Sequence, residues 1–189
     1  MKKLLLAILL LATSCSAKND IGFYKGYEVP AYQLLDQQHN IETRLYKPLL
    51  VAQIKTKGTR NSSAKASFRQ LAKYIFSNDI AMTSPVMQQK IGEEWLVQFV
   101  MPAKFTQNSI AKPQNENIKL VNLASQKAVA IIFSGSWFDD NFTKYQHDLQ
   151  NFINNNNIST IGEPIFAYYD DPFTFPWNRK NEIIWYIKD

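Results

Sequence analysis

Two stretches of helical periodicity, each set between pairs of extended segments, restrict this chain more than any other feature. Ala64, Phe68, Leu71, Ala72 and Ile75 recur at i, i+4, i+7, i+8 and i+11, which is one apolar helical face with Lys65, Arg69 and Lys73 directed elsewhere. Phe142, Tyr145, Leu149, Phe152 and Ile153 define a second face of the same kind. Residues 41–46 and 49–56 precede the first helix as strands, and residues 82–90 and 95–101 follow it around a turn at Gly92. Residues 118–123 and 127–133 precede the second, and residues 164–169 and 182–187 follow it. Ser62 or Ser63 is the expected N-cap of the first helix, and Asp139, Asp140 or Asn141 that of the second, which the asparagines of residues 154–157 stop. Each half is therefore ββαββ, a repeat of pattern without identity of sequence. Two such halves sharing one sheet predict an α+β domain, with two helices against a curved or barrel-like sheet.

Composition then narrows the chemistry. The chain has 189 residues, 46% apolar, 20% charged and 13% aromatic, the profile of one globular domain with a core of its own. One cysteine excludes an internal disulfide framework, a Cys-rich zinc site and a CxxCH haem attachment, and two histidines exclude a multi-histidine metal centre. Gly135-Ser136 lacks the second glycine of a nucleophile elbow, and the acid pairs Glu93-Glu94, Asp139-Asp140 and Asp170-Asp171 fall in loops. No glycine-rich phosphate loop or metal-spaced cluster is present. These features point away from an enzyme.

The N-terminus reads as targeting sequence. Lys2 and Lys3 precede an unbroken apolar run, residues 4–12, and then the small-residue exit Ala12-Thr13-Ser14-Cys15. That run is too short to span a hydrocarbon core of about 30 Å. The pattern resembles a bacterial lipoprotein signal, with Cys15 as the lipidated residue and Ser16 after it implying the outer membrane. The departure is Ala12, where leucine is commonest. The alternative is cleavage after Ala17, giving a soluble periplasmic protein. Residues 1–14 are then the signal, 15–26 a tether and 27–189 the domain. Without Lys2 and Lys3, 19 basic residues face 16 acidic ones, scattered and without a block that would suit nucleic acid.

Seven stretches stand out in order along nearly all of the chain after the tether: Ile41-Glu42-Thr43-Arg44-Leu45-Tyr46 followed by Val51-Ala52; residues 68–76; Ile80-Ala81-Met82-Thr83-Ser84-Pro85-Val86; Phe99-Val100-Met101-Pro102-Ala103; Phe133-Ser134-Gly135; Tyr169-Asp170-Asp171-Pro172-Phe173; and Arg179-Lys180-Asn181-Glu182-Ile183. Together they resemble the SOUL haem-binding protein family. The resemblance implies a distorted eight-stranded barrel with two flanking helices, and non-covalent binding of haem or another tetrapyrrole. Such a plate asks for an apolar cleft with cations at its rim for the propionates. The resemblance puts that cleft beside the first helix, at Phe68, Leu71, Ala72 and Ile75. Arg69, Lys73, Arg179 and Lys180 are then the candidate cations, although a helical stripe of this kind also serves as plain core. His39 and His147 read as surface residues and Met82, Met87 and Met101 as core, so no strong axial ligand is expected. The family's wider fold includes ligand-binding domains of multidrug-responsive regulators, which keeps other flat hydrophobic ligands as an alternative. Hydrolysis of small electrophiles is a lesser one, whose mark would be a buried glutamate with a raised pKa. An envelope protein that binds a partner and no ligand is the third.

Overall fold

The computed structural model describes residues 22–137 and 139–188. The apolar run, Cys15 and the N-terminal part of the tether lie outside them. A short hairpin, β1 (Gly22–Tyr24) and β2 (Tyr27–Val29), opens the fold. It is followed by β3 (Tyr32–Gln38), β4 (Ile41–Tyr46), β5 (Leu49–Lys57), α1 (Arg60–Phe76), β6 (Val86–Ile91) and β7 (Glu94–Val100). The second half comprises β8 (Lys119–Leu123), β9 (Gln126–Phe133), α2 (Asp139–Asn155), β10 (Thr160–Tyr168) and β11 (Asn181–Ile187).

Nine strands form one antiparallel sheet in the order β3-β4-β9-β11-β10-β6-β7-β5-β8. The first strand of each half is traded to the other: β4 pairs with β9, and β8 pairs with β5. Two-residue links join strands that stand far apart in this order, Lys47-Pro48 between β4 and β5 and Ala124-Ser125 between β8 and β9. A flat sheet cannot satisfy such short links, because neighbouring strands are about 4.8 Å apart. The sheet therefore curls into a half-barrel. The expected class holds, with β3 added as a ninth strand at one edge. Its sequence, YQLLDQQ, is largely exposed and lacks the apolar alternation that marks a strand.

Alternation within each strand separates two faces. Leu50, Ala52 and Ile54 of β5 face α1, and Val129 and Ile131 of β9 face α2. Val51, Ala128, Ala130 and Ile184 point to the inside of the curl. Two local expectations change. The cap of α1 is Thr59, in a reciprocal capping box with Ser62, so the helix starts before either serine. Its buried face is also rotated: Ser63 and Ser67 are buried, whereas Phe68 is 41% exposed. Ser67 shares a hydrogen bond with Thr56 at 2.7 Å, and Ser63 accepts one from Gln88 at 2.9 Å. Small side chains with internal partners let the helix approach the sheet there closely.

The segment read as tether is folded from Gly22. Lys25 and Gly26, both at positive φ, turn the β1–β2 hairpin, and Tyr24 and Lys25 bond to Asp170.

Candidate ligand cleft

The residues expected to make the site do not come together. Leu71, Ala72 and Ile75 are 0%, 8% and 1% exposed, sealed in the core between α1 and the sheet. Phe68 lies edge-on to Phe99, with 5.2 Å between the ring centroids. Arg69 and Lys73 are exposed, and Arg69 donates weakly to the Lys65 carbonyl. Arg179 is a loop anchor: Nε donates to Thr174 O at 2.8 Å, Nη2 to Pro172 O at 2.9 Å, and the guanidinium stands 4.3 Å from the Trp137 ring. Trp137 in turn meets Arg60, the first residue of α1. Arg69 is about 13 Å further along that helix. Lys180 is drawn inward, 3.1 Å from a carboxylate oxygen of Glu182.

Instead, a cleft of about 470 Å³ opens at the end of the half-barrel where β5 begins and β7 ends. Three chain pieces wall it: Val29, Pro30 and Ala31; Lys47, Pro48 and Leu49; and residues 100–105. A proline interrupts each piece. Proline has no N–H to continue a ladder, so the strands part here and do not seal against one another. Backbone bonds still fix the walls: Lys47 N donates to Ala31 O at 3.0 Å and Met101 N to Leu50 O at 2.8 Å. Glu28 closes the frame by accepting from Ala103 N at 2.6 Å. The lining is mostly apolar, and its charged members are Lys47, Lys104 and Glu28, with the Lys104 ammonium 5.0 Å from the Phe105 ring. The volume falls within the roughly 300–1,000 Å³ typical of small-molecule sites. Apolar walls with two lysines against one glutamate among the lining residues suit a flat hydrophobic acid. No histidine lines the cleft; among the described residues His39 is exposed in the β3–β4 turn, and His147 pairs with Asn151 on α2. Three prolines, each at or just past the end of an apolar segment, are the signal in the sequence that could have marked this place.

The second polar feature lies inside the curl and is closed. Arg44, 0% exposed, binds Glu182 with two hydrogen bonds, 2.8 and 3.0 Å, and donates through Nε to Glu42 at 2.7 Å. Tyr169 donates to Glu182 at 2.9 Å, Tyr32 donates to Glu42 at 3.2 Å, and Arg44 donates to the Tyr46 hydroxyl at 2.8 Å. With Lys180, two cations balance two carboxylates. Burial by itself would raise the pKa of Glu182, but the hydrogen bonds and charge of Arg44, with Lys180 behind them, hold it below the ordinary carboxylate value. Burial pushes the Tyr169 hydroxyl well up. Every oxygen of Glu182 is committed, so this cluster locks strands β4, β9 and β11 together and offers no open coordination. Sequence reasoning missed it because Glu42, Arg44 and Tyr46 share one face of β4, and charged residues in alternation read as a solvent face.

The SOUL heme-binding protein family model matches residues 27–186, and the chain belongs to that family. No curated protein sequence matches the chain. Among solved structures, the C-terminal domain of EcmrR superposes with a TM-score of 0.63 at 14% identity, over 84% of this chain and 98% of that one. A hydrolase from Listeria innocua gives a TM-score of 0.55 at 13% identity, over 82% and 94%. SAV2435 bound to tetraphenylphosphonium gives 0.52 at 15% identity, over 84% and 94%. At these identities the likeness is one of fold.

Proposed function

We propose that this SOUL-family protein binds haem or a related tetrapyrrole non-covalently in the proline-walled cleft, as a carrier, buffer or sensor held at the cell envelope. One observation carries the assignment: an apolar cleft with Lys47 and Lys104 among its lining residues, in a chain whose family suggests a tetrapyrrole. Val29, Leu49, Met101 and Phe105 would hold the plate, and the two lysines would meet its carboxylates. The bound group would supply its own light absorption and iron chemistry; the chain supplies a dry wall and fixed charge. With no histidine on the cleft, stacking and carboxylate contacts dominate retention. Envelope attachment is part of the same proposal and rests on Cys15 and its flanking residues; replacing Cys15 with Ala should abolish lipid labelling.

Binding, and not catalysis, is the role proposed. A hydrolytic carboxylate needs a raised pKa, and Glu182 is held ionised and fully bonded. The walls also suit other flat hydrophobic molecules, and SAV2435 holds a lipophilic cation, tetraphenylphosphonium. Two lysines against one glutamate, Glu28, among the lining residues favour an anionic ligand over such a cation.

The test is a titration of the full chain with haemin, protoporphyrin IX and tetraphenylphosphonium, following Soret absorbance or Trp fluorescence. Saturable one-to-one binding of both porphyrins is expected. Ala31→Trp and Ala103→Trp, which fill the cleft, should each weaken it at least tenfold with unfolding midpoints unchanged. Full affinity in both variants, with loss in the Arg69→Glu, Arg179→Glu double variant, would return the site to α1. Tighter binding of the phosphonium would replace the tetrapyrrole by a cationic ligand.

A further inference from the structure

The loop between β10 and β11 turns three large aromatic side chains to solvent, Phe173 at 92%, Phe175 at 62% and Trp177 at 69% exposed. This is not a slack segment. Asp171 accepts from Phe173 N at 2.7 Å and Thr174 N at 3.0 Å, and Arg179 fastens Thr174 and Pro172 through their carbonyls. Gly135 N holds the Pro176 carbonyl at 2.9 Å. The Phe175 and Trp177 rings are stacked 4.8 Å apart and only 6° from parallel. The backbone is stapled to the domain while its apolar groups face outward.

Such a tip cannot enclose a small molecule, because a small-molecule site buries about 70–90% of its ligand in a concavity and these rings have no wall around them. Rigid, outward Phe and Trp side chains suit a medium that is itself apolar, the headgroup and acyl boundary of a bilayer. The course of the chain supports that occupant. Lys25, at the tip of the β1–β2 hairpin, donates to the Asn178 carbonyl of this loop at 3.2 Å and to Asp170. Gly22, the first described residue, is three residues from Lys25 and so at most about 10 Å from it, and residues 15–21 span at most about 23 Å. A chain held to a bilayer at Cys15 keeps this loop within reach of the same surface.

We propose that Phe173, Phe175 and Trp177 form a membrane-contact tip that inserts into the bilayer interface and sets the orientation of the domain. The proposal rests on the envelope attachment proposed above and is independent of the tetrapyrrole. Its test uses the full chain with Cys15→Ala, so that no acyl chain contributes, and vesicles of phosphatidylethanolamine and phosphatidylglycerol carrying brominated acyl chains. Trp fluorescence should be quenched, and Trp177→Phe should remove most of that quenching. Replacing Phe173, Phe175 and Trp177 together by Ser should lower co-sedimentation at least tenfold while haemin affinity and the unfolding midpoint stay as in the parent. Equal quenching after Trp177→Phe would mean that the apolar run near the N-terminus carries the binding, and would overturn the proposal. So would unchanged sedimentation of the triple variant, or loss of haemin binding in place of vesicle binding, which would make the loop part of the ligand site. Should the triple variant fail to fold, the Trp177→Phe quenching decides alone.

Discussion

The two halves of the sheet place equivalent corners side by side, and only one of them is open. Lys47-Pro48 leads into β5 at the first corner, and Ala124-Ser125 leads into β9 at the second. Where the first has Pro48, the second has Ser125, whose hydroxyl donates to the Tyr46 carbonyl at 2.7 Å. The first position past each closing strand keeps its backbone bond, Met101 N to Leu50 O at 2.8 Å after β7 and Lys188 N to Ser159 O at 2.9 Å after β11, and Pro102 follows only at the first corner. Gln126 completes the seal by donating to the Ile187 carbonyl at 2.8 Å. The same topology thus has a cleft at one corner and a closed seam at the other, and the difference lies in Pro48 against Ser125 and in the side-chain bond of Gln126.

That contrast can be broken most forcefully through the cluster that braces β4, the strand leading into the open corner. Arg44→Ala would strand the buried Glu182 carboxylate, and a loss of about 3–5 kcal/mol is expected in urea unfolding. Its acid dependence sharpens the point. The folded pKa of Glu182 lies below the ordinary 4.5, so its contribution is complete above that value and is lost as pH falls through the lower folded one. Glu182→Gln should flatten the acid limb of the stability profile; an unchanged limb would deny the carboxylate this role. At the sealed corner, Gln126→Ala should cost about 1 kcal/mol of stability and leave haemin affinity untouched. The smallest effect belongs to the rim of the open corner. Lys104→Glu should weaken haemin binding about two- to fivefold, since an exposed charge contact contributes about 0.3–1 kcal/mol, with no change in the unfolding midpoint. An effect on stability at the open rim, or on haemin at the sealed one, would erase the distinction between the corners.

Legibility in the sequence followed the range of the interactions. Both helices and the strands that flank them were readable, because helical and extended periodicities are written in neighbouring residues. The rotation of α1 was not: Ser63 and Ser67 look like surface residues until Thr56 and Gln88 stand opposite them. Strand β3 was hidden because an edge strand with little burial needs no apolar alternation. The role of the apolar stripe on α1 was open for a similar reason. Leu71, Ala72 and Ile75 form an apolar stripe, and whether a stripe meets core or ligand depends on what packs against it; here the sheet does.

The sequence by itself therefore determined the ββαββ halves, the α+β class and the family, all of which rest on local pattern or ordered motif. Only the tertiary structure decided that the halves exchange their first strands, that Arg44 and Glu182 meet across 138 positions of chain, and that three prolines converge on one cleft. Those outcomes depend on how a sheet curls to satisfy two-residue links between distant strands, a constraint no window of neighbouring residues contains.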